Sequence, residues 1–158
     1  MTLEFHTGRA TYADILSHLQ ECDASFLPAL SSRVDLASYA KKISCSAVTF
    51  EAWHGHRLVG LVASYFNDQN SGVGFITSVS TAPDWKGRGA GRALMTMALD
   101  YAESHGFMTV NLEVGESNLS ALGLYDRLGF VKKGHANGMV SMTWIKTKDG
   151  RQMGRSES

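Results

Sequence analysis

The stretch Val79-Ser-Thr-Ala-Pro-Asp-Trp-Lys-Gly-Arg-Gly-Ala-Gly-Arg-Ala-Leu94 decides the fold of this chain. It starts at the end of a run of β-branched and aromatic residues that predicts a strand over residues 73–81. It ends in a segment whose apolar residues recur at helical spacing and predict a helix over residues 89–104, with an apolar face formed by Ala93, Leu94, Met97, Ala98 and Tyr101. Pro83 ends the strand because it has no N–H to donate. Three glycines interleaved with basic residues therefore join a strand to a helix.

This junction has the features of an anion-binding site. The first N–H groups of a helix have no intrahelical partner, and the helix dipole adds partial positive charge there. Glycines let the backbone approach a phosphate closely, while Lys86, Arg88 and Arg92 contribute cations. The alternative is a glycine-containing connection that binds nothing. The agreement between the cations and the helix phase favours a phosphate ligand.

The spacing of the glycines separates several kinds of phosphate loop. A Walker A loop needs Gly-Lys followed by Ser or Thr, and the sequence has no such tripeptide. The dinucleotide fingerprint Gly-x-Gly-x-x-Gly needs a glycine at its third glycine position, which Gly87-Arg-Gly89-Ala-Gly91-Arg-Ala lacks. The loop instead resembles the acetyl-CoA loop of the GNAT superfamily of acyltransferases: Arg or Gln, two residues, Gly, one residue, then Gly or Ala. Lys86-Gly-Arg-Gly89-Ala-Gly91 fits both small positions and has at the first position a lysine, which keeps the charge but loses the planar fork.

A second block strengthens this resemblance. The family places a strand, an Asn, a short helix with Leu-Tyr and a closing Leu-Gly-Phe in that order. The same order is found in Val110-Asn-Leu-Glu113-Val114, Asn118, Leu124-Tyr125 and Leu128-Gly129-Phe130. The resemblance covers roughly residues 48–146. Residues 1–47 match the family only in being a helical N-terminal segment.

The resemblance implies a fold and a cosubstrate. The fold is α/β (α+β): a central mixed, mostly antiparallel twisted sheet with a splayed parallel strand pair, flanked by helices. The cosubstrate is acetyl-CoA as acyl donor, with its pantetheine arm between the two parallel strands. The residues expected to bind it are Val79, Thr81, Lys86, Gly87, Arg88, Gly89, Ala90, Gly91, Arg92 and Asn118. Asn118 also has the simpler interpretation of a helix N-cap, and both roles are compatible.

Two residues carry the expected chemistry. Tyr125 matches the family tyrosine that protonates the departing CoA thiolate, and a phenol is protonated at neutral pH. Its alternative is a tyrosine that only packs on the core. Glu113 lies in Leu-Glu-Val, which resembles the acetyltransferases of ribosomal-protein N-termini, where this Glu serves as base. Gly115 stands where those enzymes commonly carry Arg. The alternative for Glu113 is a strand-end carboxylate paired with a cation.

The resemblance leaves the acceptor open. In the family the segment between the first two helices lines the acceptor side, which here points to Phe26 and Arg33 as substrate-binding residues; a plain helix connection is the alternative. We expect N-acetylation of a primary amine on a small molecule, such as an amino sugar, with or without a linked nucleotide, a polyamine or an amino acid. The alternatives are a protein or peptide N-terminus and a non-catalytic acyl-CoA-binding module.

Composition bounds the remaining choices. The chain has 158 residues, with 15 Lys plus Arg and 15 Asp plus Glu. Zero net charge argues against a general nucleic-acid or membrane-surface binder. Cys22 and Cys45 have no metal-like spacing and are expected to be free thiols. The sequence predicts a cytoplasmic protein with one domain over residues 1–146, a disordered tail over 147–158 and no metal, and it leaves a homodimer open.

The remaining elements follow from local patterns. Residues 3–7 form a candidate strand, Thr11 caps a first helix, and residues 35–43 form a second helix. Residues 47–53 and 57–66 form a hairpin around 54–56, in whose first strand Thr49, Glu51 and Trp53 occupy the face opposite the apolar one. A strand over 108–114 and a helix over 118–128 come next. Two final strands, over 130–133 and 139–146, flank an Asn137-Gly138 turn.

Overall fold

The computed structural model describes residues 2–146, in which four α-helices and seven strands are found. The helices are α1 (Tyr12–Cys22), α2 (Leu36–Ser46), α3 (Ala90–Ser104) and α4 (Leu119–Arg127). The strands are β1 (Glu4–Thr7), β2 (Val48–His54), β3 (Arg57–Tyr65), β4 (Val73–Thr81), β5 (Thr109–Gly115), β6 (Val131–Ala136) and β7 (Met139–Ile145). Every helix and strand expected from the sequence is present. The predicted disordered tail, 147–158, lies outside the described residues.

The strands of residues 2–146 form one seven-stranded sheet in the order β1-β2-β3-β4-β5-β7-β6. The pairs β1/β2, β2/β3, β5/β7 and β6/β7 are antiparallel. The pair β4/β5 is parallel and joins residues 73–76 to residues 109–112. The predicted fold class, a mixed and mostly antiparallel sheet with a parallel pair and flanking helices, is confirmed. The splay of that pair stays a prediction.

The chain divides into two compact units. Of the described residues, the first unit contains those up to Tyr65 together with Thr77–Ala98, and the second contains Phe66–Ile76 together with those from Leu99 to Lys146. β4 and α3 contribute residues to both units. The predicted single domain over residues 1–146 stays a prediction.

The helices α1 and α2 pack on β3 in the first unit. Their shared core consists of fully or almost fully buried residues: Ile15, Leu19, Leu30, Ala40, Ile43, Leu61 and Ala63. Thr11 caps α1 in a capping box with Asp14, and Asp35 caps α2 through the Ser38 N–H. These caps satisfy helix N–H groups that would otherwise lack partners, which fixes where each helix begins.

The predicted alternation of β2 between an apolar and a polar face is wrong in one respect. Thr49, Glu51 and Trp53 are buried as completely as the apolar face, and Glu51 has no exposed surface. Its carboxylate accepts hydrogen bonds from the N–H groups of Arg9 (3.1 Å) and Ala10 (3.0 Å), the Trp53 indole (3.0 Å) and the Thr49 hydroxyl. A carboxylate tolerates such burial only when it is well supplied with donors.

The second unit packs one face of its strands into a core. The buried residues alternate along the strands: Ile76, Val110, Leu112, Val114, Val140, Met142 and Trp144. Asn137 and Gly138 have φ values of 56° and 78°, so the predicted tight turn between β6 and β7 is confirmed with both residues in the left-handed region.

The buried stripe of α3 differs from the predicted one. The buried residues of α3 are Ala90, Leu94, Met95, Ala98, Leu99 and Ala102, while Ala93, Met97 and Tyr101 are only half-buried. Leu94 and Ala98 belong to both the predicted and the observed face. The observed face adds Ala90, Met95, Leu99 and Ala102, so it is rotated around the helix axis from the predicted one. No helix among residues 2–146 combines the length and apolar character needed to cross a membrane.

Candidate active site

The glycine loop that follows β4 is open. Gly87 and Gly89 have φ values of +78° and +83°, and a Cβ atom added at either residue would meet no atom within 4 Å. Glycine is favoured in this left-handed region because it lacks the Cβ that strains other residues there. The loop therefore exposes bare backbone to whatever binds in front of it.

The first turn of α3 supplies unpaired donors beside that backbone. The N–H of Ala93 bonds to the carbonyl of Gly89 at 3.1 Å, which makes Gly89 the N-cap of the helix. The N–H groups of the first three helical residues, 90–92, therefore have no acceptor within the helix. The side chains of Lys86, Arg88 and Arg92 are exposed around them. Backbone donors, helix dipole and cations together suit a phosphate or diphosphate group.

A network that the sequence did not predict holds the loop in place. Arg57 at the start of β3 bonds to both carboxylate oxygens of Asp84 (2.9 and 2.8 Å) and to Glu21 of α1 (2.8 Å). The hydrogen bonds with Asp84 and Glu21 raise the pKa of the guanidinium, and the bond with Arg57 lowers the pKa of Asp84. The Ala82 N–H donates to Val59 in β3 at 2.8 Å.

Trp85 completes this support directly before the loop. It is 5% exposed, the Arg88 guanidinium lies 4.7 Å from its ring centroid, and the His54 ring lies 5.0 Å away. The Arg88 side chain is thus held over an aromatic face, where the ring quadrupole attracts a cation. The orientation of one of the three loop cations therefore depends on Trp85.

His18 is a second residue that the sequence gave no reason to select. It lies on α1, is 2% exposed, and contacts Leu58 and Ser80 through its two ring nitrogens. Burial lowers its pKa, which keeps the ring neutral near pH 7. Ser80 lies between Val79 and Thr81 at the end of β4, where all three residues are half-buried.

In the second unit, Tyr125 is almost fully buried on α4. It is 5% exposed, and its ring lies 5.9 Å from that of Phe130. Burial raises its pKa, so the phenol carries its proton throughout the neutral range. This environment fits both packing on the core and a proton donor.

Glu113 is exposed on β5, opposite Ser141 of β7. Within the part of the chain that the structure describes, its carboxylate forms no hydrogen bond or ion pair. The alternative interpretation of Glu113, a carboxylate paired with a cation, is therefore not supported there. Asn118 caps α4 by accepting from the Ala121 N–H at 3.2 Å. The cap uses the Asn118 side-chain oxygen, so the pantetheine role can use the amide N–H₂ group.

Phe26 and Arg33 have different environments. Phe26 is half-buried and packs against the core of α1 and α2. Arg33 is exposed and lines an open groove of about 620 Å³, together with Leu16, Gln20, Ser31, Ser32, Val34, Asp35, Leu36 and Ala37. The groove belongs to the first unit, so Arg33 is accessible to a ligand there.

Two further histidines, His54 and His135, have ordinary neighbours. His54 packs on Trp85, and His135 lies 2.6 Å from a carboxylate oxygen of Glu116. Among residues 2–146, no group of three or more His, Cys, Asp or Glu side chains is arranged to hold a metal ion. Cys22 is buried and Cys45 exposed, and both are free thiols.

Comparisons with known proteins show the family to which the chain is similar. The model of the acetyltransferase (GNAT) family matches residues 12–130. An uncharacterized N-acetyltransferase of Methanocaldococcus jannaschii is 38% identical over 76 residues, which are 48% of this chain and 34% of that protein. The [ribosomal protein bS18]-alanine N-acetyltransferase of Escherichia coli K12 is 35% identical over 75 residues, which are 48% of this chain and 47% of that enzyme. The matched stretch thus spans a third to a half of each relative.

The fold has solved counterparts. The PaiA N-acetyltransferase of Thermoplasma acidophilum, solved in complex with coenzyme A, superposes with a TM-score of 0.71 at 13% identity. The match covers 90% of this chain and 98% of that one. At this identity the likeness concerns the fold alone, and it extends over nearly all of the described residues.

Proposed function

The chain belongs to the GNAT acetyltransferase family, and we propose on that basis that it transfers the acetyl group of acetyl-CoA to a primary amine. The observation that carries the proposal is the open backbone at Gly87 and Gly89, which leads into three unpaired helix N–H groups. This is the donor set that a diphosphate requires. We assign the diphosphate of acetyl-CoA to this loop.

The basic side chains of the loop and its backbone N–H groups have different proposed roles in binding. Lys86, Arg88 and Arg92 neutralise a dianionic diphosphate, and the backbone N–H groups fix its position. Val79 and Thr81 at the end of β4 offer backbone groups to the pantetheine arm, and one N–H there polarises the thioester carbonyl. The side-chain N–H₂ group of Asn118 is the further donor assigned to the pantetheine.

Tyr125 is the proposed general acid. The thiolate that leaves the thioester takes the phenolic proton, and the raised pKa of Tyr125 keeps that proton available at neutral pH. The tyrosinate left behind is strongly basic, so it regains a proton readily after the product leaves.

Glu113 is the proposed base. An ammonium group does not attack a thioester, so the acceptor must lose a proton first. The Glu113 carboxylate is exposed and unpaired among the described residues. It is therefore available to an incoming ammonium group, directly or through a water molecule.

We propose a small amine as acceptor, with the groove beside Arg33 as its recognition surface. Its exposed guanidinium would pair with an anionic group on the acceptor, such as a carboxylate or a phosphate. A peptide N-terminus is the second candidate, and the bS18-alanine N-acetyltransferase relative favours it. Gly115 argues for the small amine, because enzymes of that type commonly carry Arg there. Free Cys22 and Cys45 are consistent with a reducing compartment, so we propose a cytoplasmic location.

One assay tests the activity and separates the two acceptor classes. Acetyl-CoA is incubated with amino sugars, polyamines, amino acids and alanine-initiated peptides, and release of the CoA thiol is measured. We expect acceptor-dependent release with at least one small amine. Release with peptides alone would support the N-terminal alternative. Acetyl-CoA binding in calorimetry, combined with no release for any acceptor, would support a non-catalytic binding module.

A further inference from the structure

One face of β5, β7 and β6 carries a row of three residues that solvent can reach. Glu113 of β5 is exposed, Ser141 of β7 is half-buried, and the two are directly paired in the sheet. Residues paired in this way point to the same face, with Cβ atoms about 4.5–5.5 Å apart. Gly134 of β6 is paired with Ser141 on its other side. All three residues belong to the second unit.

Gly134 leaves space beside the Ser141 hydroxyl. A Cβ atom added at Gly134 would lie 3.9 Å from both Cβ and Oγ of Ser141, so a larger side chain there would cover the hydroxyl. The φ of Gly134 lies outside the left-handed region, so the backbone does not require glycine. Within residues 2–146 the Ser141 hydroxyl has no hydrogen-bond partner, yet it is not among the buried groups that lack one. It is therefore available to a ligand.

Asn111 adds a third oxygen to this face. It lies two positions before Glu113 on β5, and side chains two positions apart on a strand point to the same side. The hydroxyl of Thr143, which is paired with Asn111, donates to Asn111 Oδ1 at 2.8 Å. An amide oxygen has two lone pairs, so it can accept a second hydrogen bond. The bond from Thr143 fixes this oxygen in position.

The three oxygens match the donors of a primary ammonium group. Such a group has three N–H donors and no acceptor. Glu113 offers a carboxylate, which supplies the opposite charge, while Ser141 and Asn111 offer neutral oxygens. Neighbouring positions on one sheet face are separated by roughly 5–7 Å, so a nitrogen atom between the three side chains is within reach of each oxygen.

We propose that Glu113, Ser141 and Asn111 form an ammonium subsite for the acceptor, with Gly134 as the residue that keeps it open. The proposal rests on the proposed function, in which Glu113 is the base, and it adds that the acceptor is recognised as a primary ammonium before it loses a proton. N-methylation removes an N–H donor and places a methyl group against an oxygen. The subsite therefore selects primary amines over N-methylated ones.

The test is a titration of the whole chain, labelled with nitrogen-15, in the presence and absence of CoA. The probe is n-butylammonium, and its N,N,N-trimethyl derivative has the same charge without N–H donors. We expect saturable amide shifts at Asn111, Gly134 and Ser141 with butylammonium and none with the trimethyl cation. Ser141→Ala should weaken butylammonium binding at least about threefold, since one hydrogen bond is lost.

Two further variants sharpen this titration. Gly134→Val fills the space beside Ser141 and should abolish the shifts at Asn111 and Ser141, while Ser120→Ala, at an exposed serine of α4, should bind butylammonium like the parent. Equal shifts with both cations would mean that the charge of Glu113 alone attracts them, which overturns the inference. Unchanged butylammonium affinity in folded Ser141→Ala and Gly134→Val overturns it as well.

The same samples separate this inference from the proposed function. Acetyl-CoA binding is measured by calorimetry, and transfer is measured as release of the CoA thiol. A parent protein that transfers acetyl groups but shows no butylammonium shifts removes only the subsite. Butylammonium shifts without acetyl-CoA binding leave the subsite standing and overturn acetyl transfer. With an active acceptor, Ser141→Ala should raise the acceptor KM and leave the acetyl-CoA KM unchanged.

Discussion

Arg57 holds Asp84 through a two-point ion pair, in which two guanidinium nitrogens lie 2.9 and 2.8 Å from the two carboxylate oxygens. Asp84 belongs to the short helix Pro83–Trp85 that leads into the glycine loop. Glu21 of α1 binds the same guanidinium. The loop backbone that we propose as the diphosphate site is thereby held by residues that need not touch the ligand themselves.

The first prediction concerns the two-point ion pair between Arg57 and Asp84. Arg57→Lys keeps the charge and loses the bidentate geometry, so we expect acetyl-CoA affinity to fall severalfold. The contact is exposed to solvent, which limits the expected loss to about fivefold in Kd. Asp84→Asn separates positioning from charge. It removes a negative charge near the phosphates, yet we expect it to weaken binding too. Calorimetry that shows stronger binding by Asp84→Asn would mean that charge alone governs the loop.

The second prediction concerns the loop backbone. Gly89→Glu introduces bulk, a like charge and strain at a φ of +83°. Titration calorimetry should show acetyl-CoA affinity reduced at least about tenfold, or roughly 1.4 kcal/mol. Gly8→Glu is the matched control, because Gly8 also has a positive φ, +75°, and open surroundings. Equal affinity in folded Gly89→Glu would remove the loop from the binding site.

Sequence patterns identified the loop and the block around Tyr125 because their information is local. Each consists of residues a few positions apart, so the spacing of the glycines and the helical periodicity can be recognised in a short stretch of sequence. The contacts that hold these elements in place join residues that are far apart in the sequence. Arg57 meets Asp84 across 27 positions, and His18 meets Leu58 and Ser80 across 40 and 62. The sequence around each of these residues does not predict its partner, because the two come together only when the sheet forms.

The same reason explains the error at β2. Alternation assigns every second side chain to solvent when only one face of a sheet is covered. In this protein β2 lies between β1 and β3 and is buried on both faces. The Glu51 carboxylate is therefore hydrogen-bonded by protein donors in place of water. Two of them are the Arg9 and Ala10 N–H groups, 42 and 41 positions away.

The third prediction concerns the proposed acid. Tyr125→Phe keeps the ring and removes only the hydroxyl, so acetyl-CoA binding should persist while kcat falls. Positioned acid catalysis contributes roughly 10²- to 10⁴-fold, and single-turnover rates report it even if another step limits turnover. Tyr12→Phe, at an exposed tyrosine of α1, is the control. A Tyr125→Phe enzyme with the single-turnover rate of the parent would leave this residue a purely structural role.

The fourth prediction concerns the proposed base. Glu113→Gln should lower the rate at neutral pH, and the rate should recover at higher pH, where more of the acceptor is already the free amine. Glu103→Gln on α3 provides the same chemical change at another position. The pH profiles of the two variants and the parent are compared with one small amine. A uniform loss at all pH values would indicate a binding role for Glu113, and no loss would exclude both roles.

The last prediction concerns stability and the buried Glu51. Four donors converge on its carboxylate, two from the backbone between β1 and α1 and two from side chains of β2. Glu51→Gln keeps the shape but replaces one acceptor oxygen by an N–H₂ group, which then faces donors. Hydrogen bonds to a charged group are worth about 1.5–3 kcal/mol each, and a donor left unsatisfied in the interior adds a cost of its own. We therefore expect the free energy of unfolding to fall by about 2–3 kcal/mol, measured by denaturant titration.

The matched control is Asp100→Asn, the same change at an exposed carboxylate of α3, which should shift stability by less than about 0.5 kcal/mol. Hydrogen exchange gives the local readout, because the Arg9 and Ala10 amide protons lose their acceptor only in Glu51→Gln and should exchange faster there. If the two variants unfold at the same denaturant concentration and the Arg9 and Ala10 amides stay protected, Glu51 does not anchor the start of α1. In that case the connection between β1 and α1 must be held by the capping box of Thr11 and Asp14 instead.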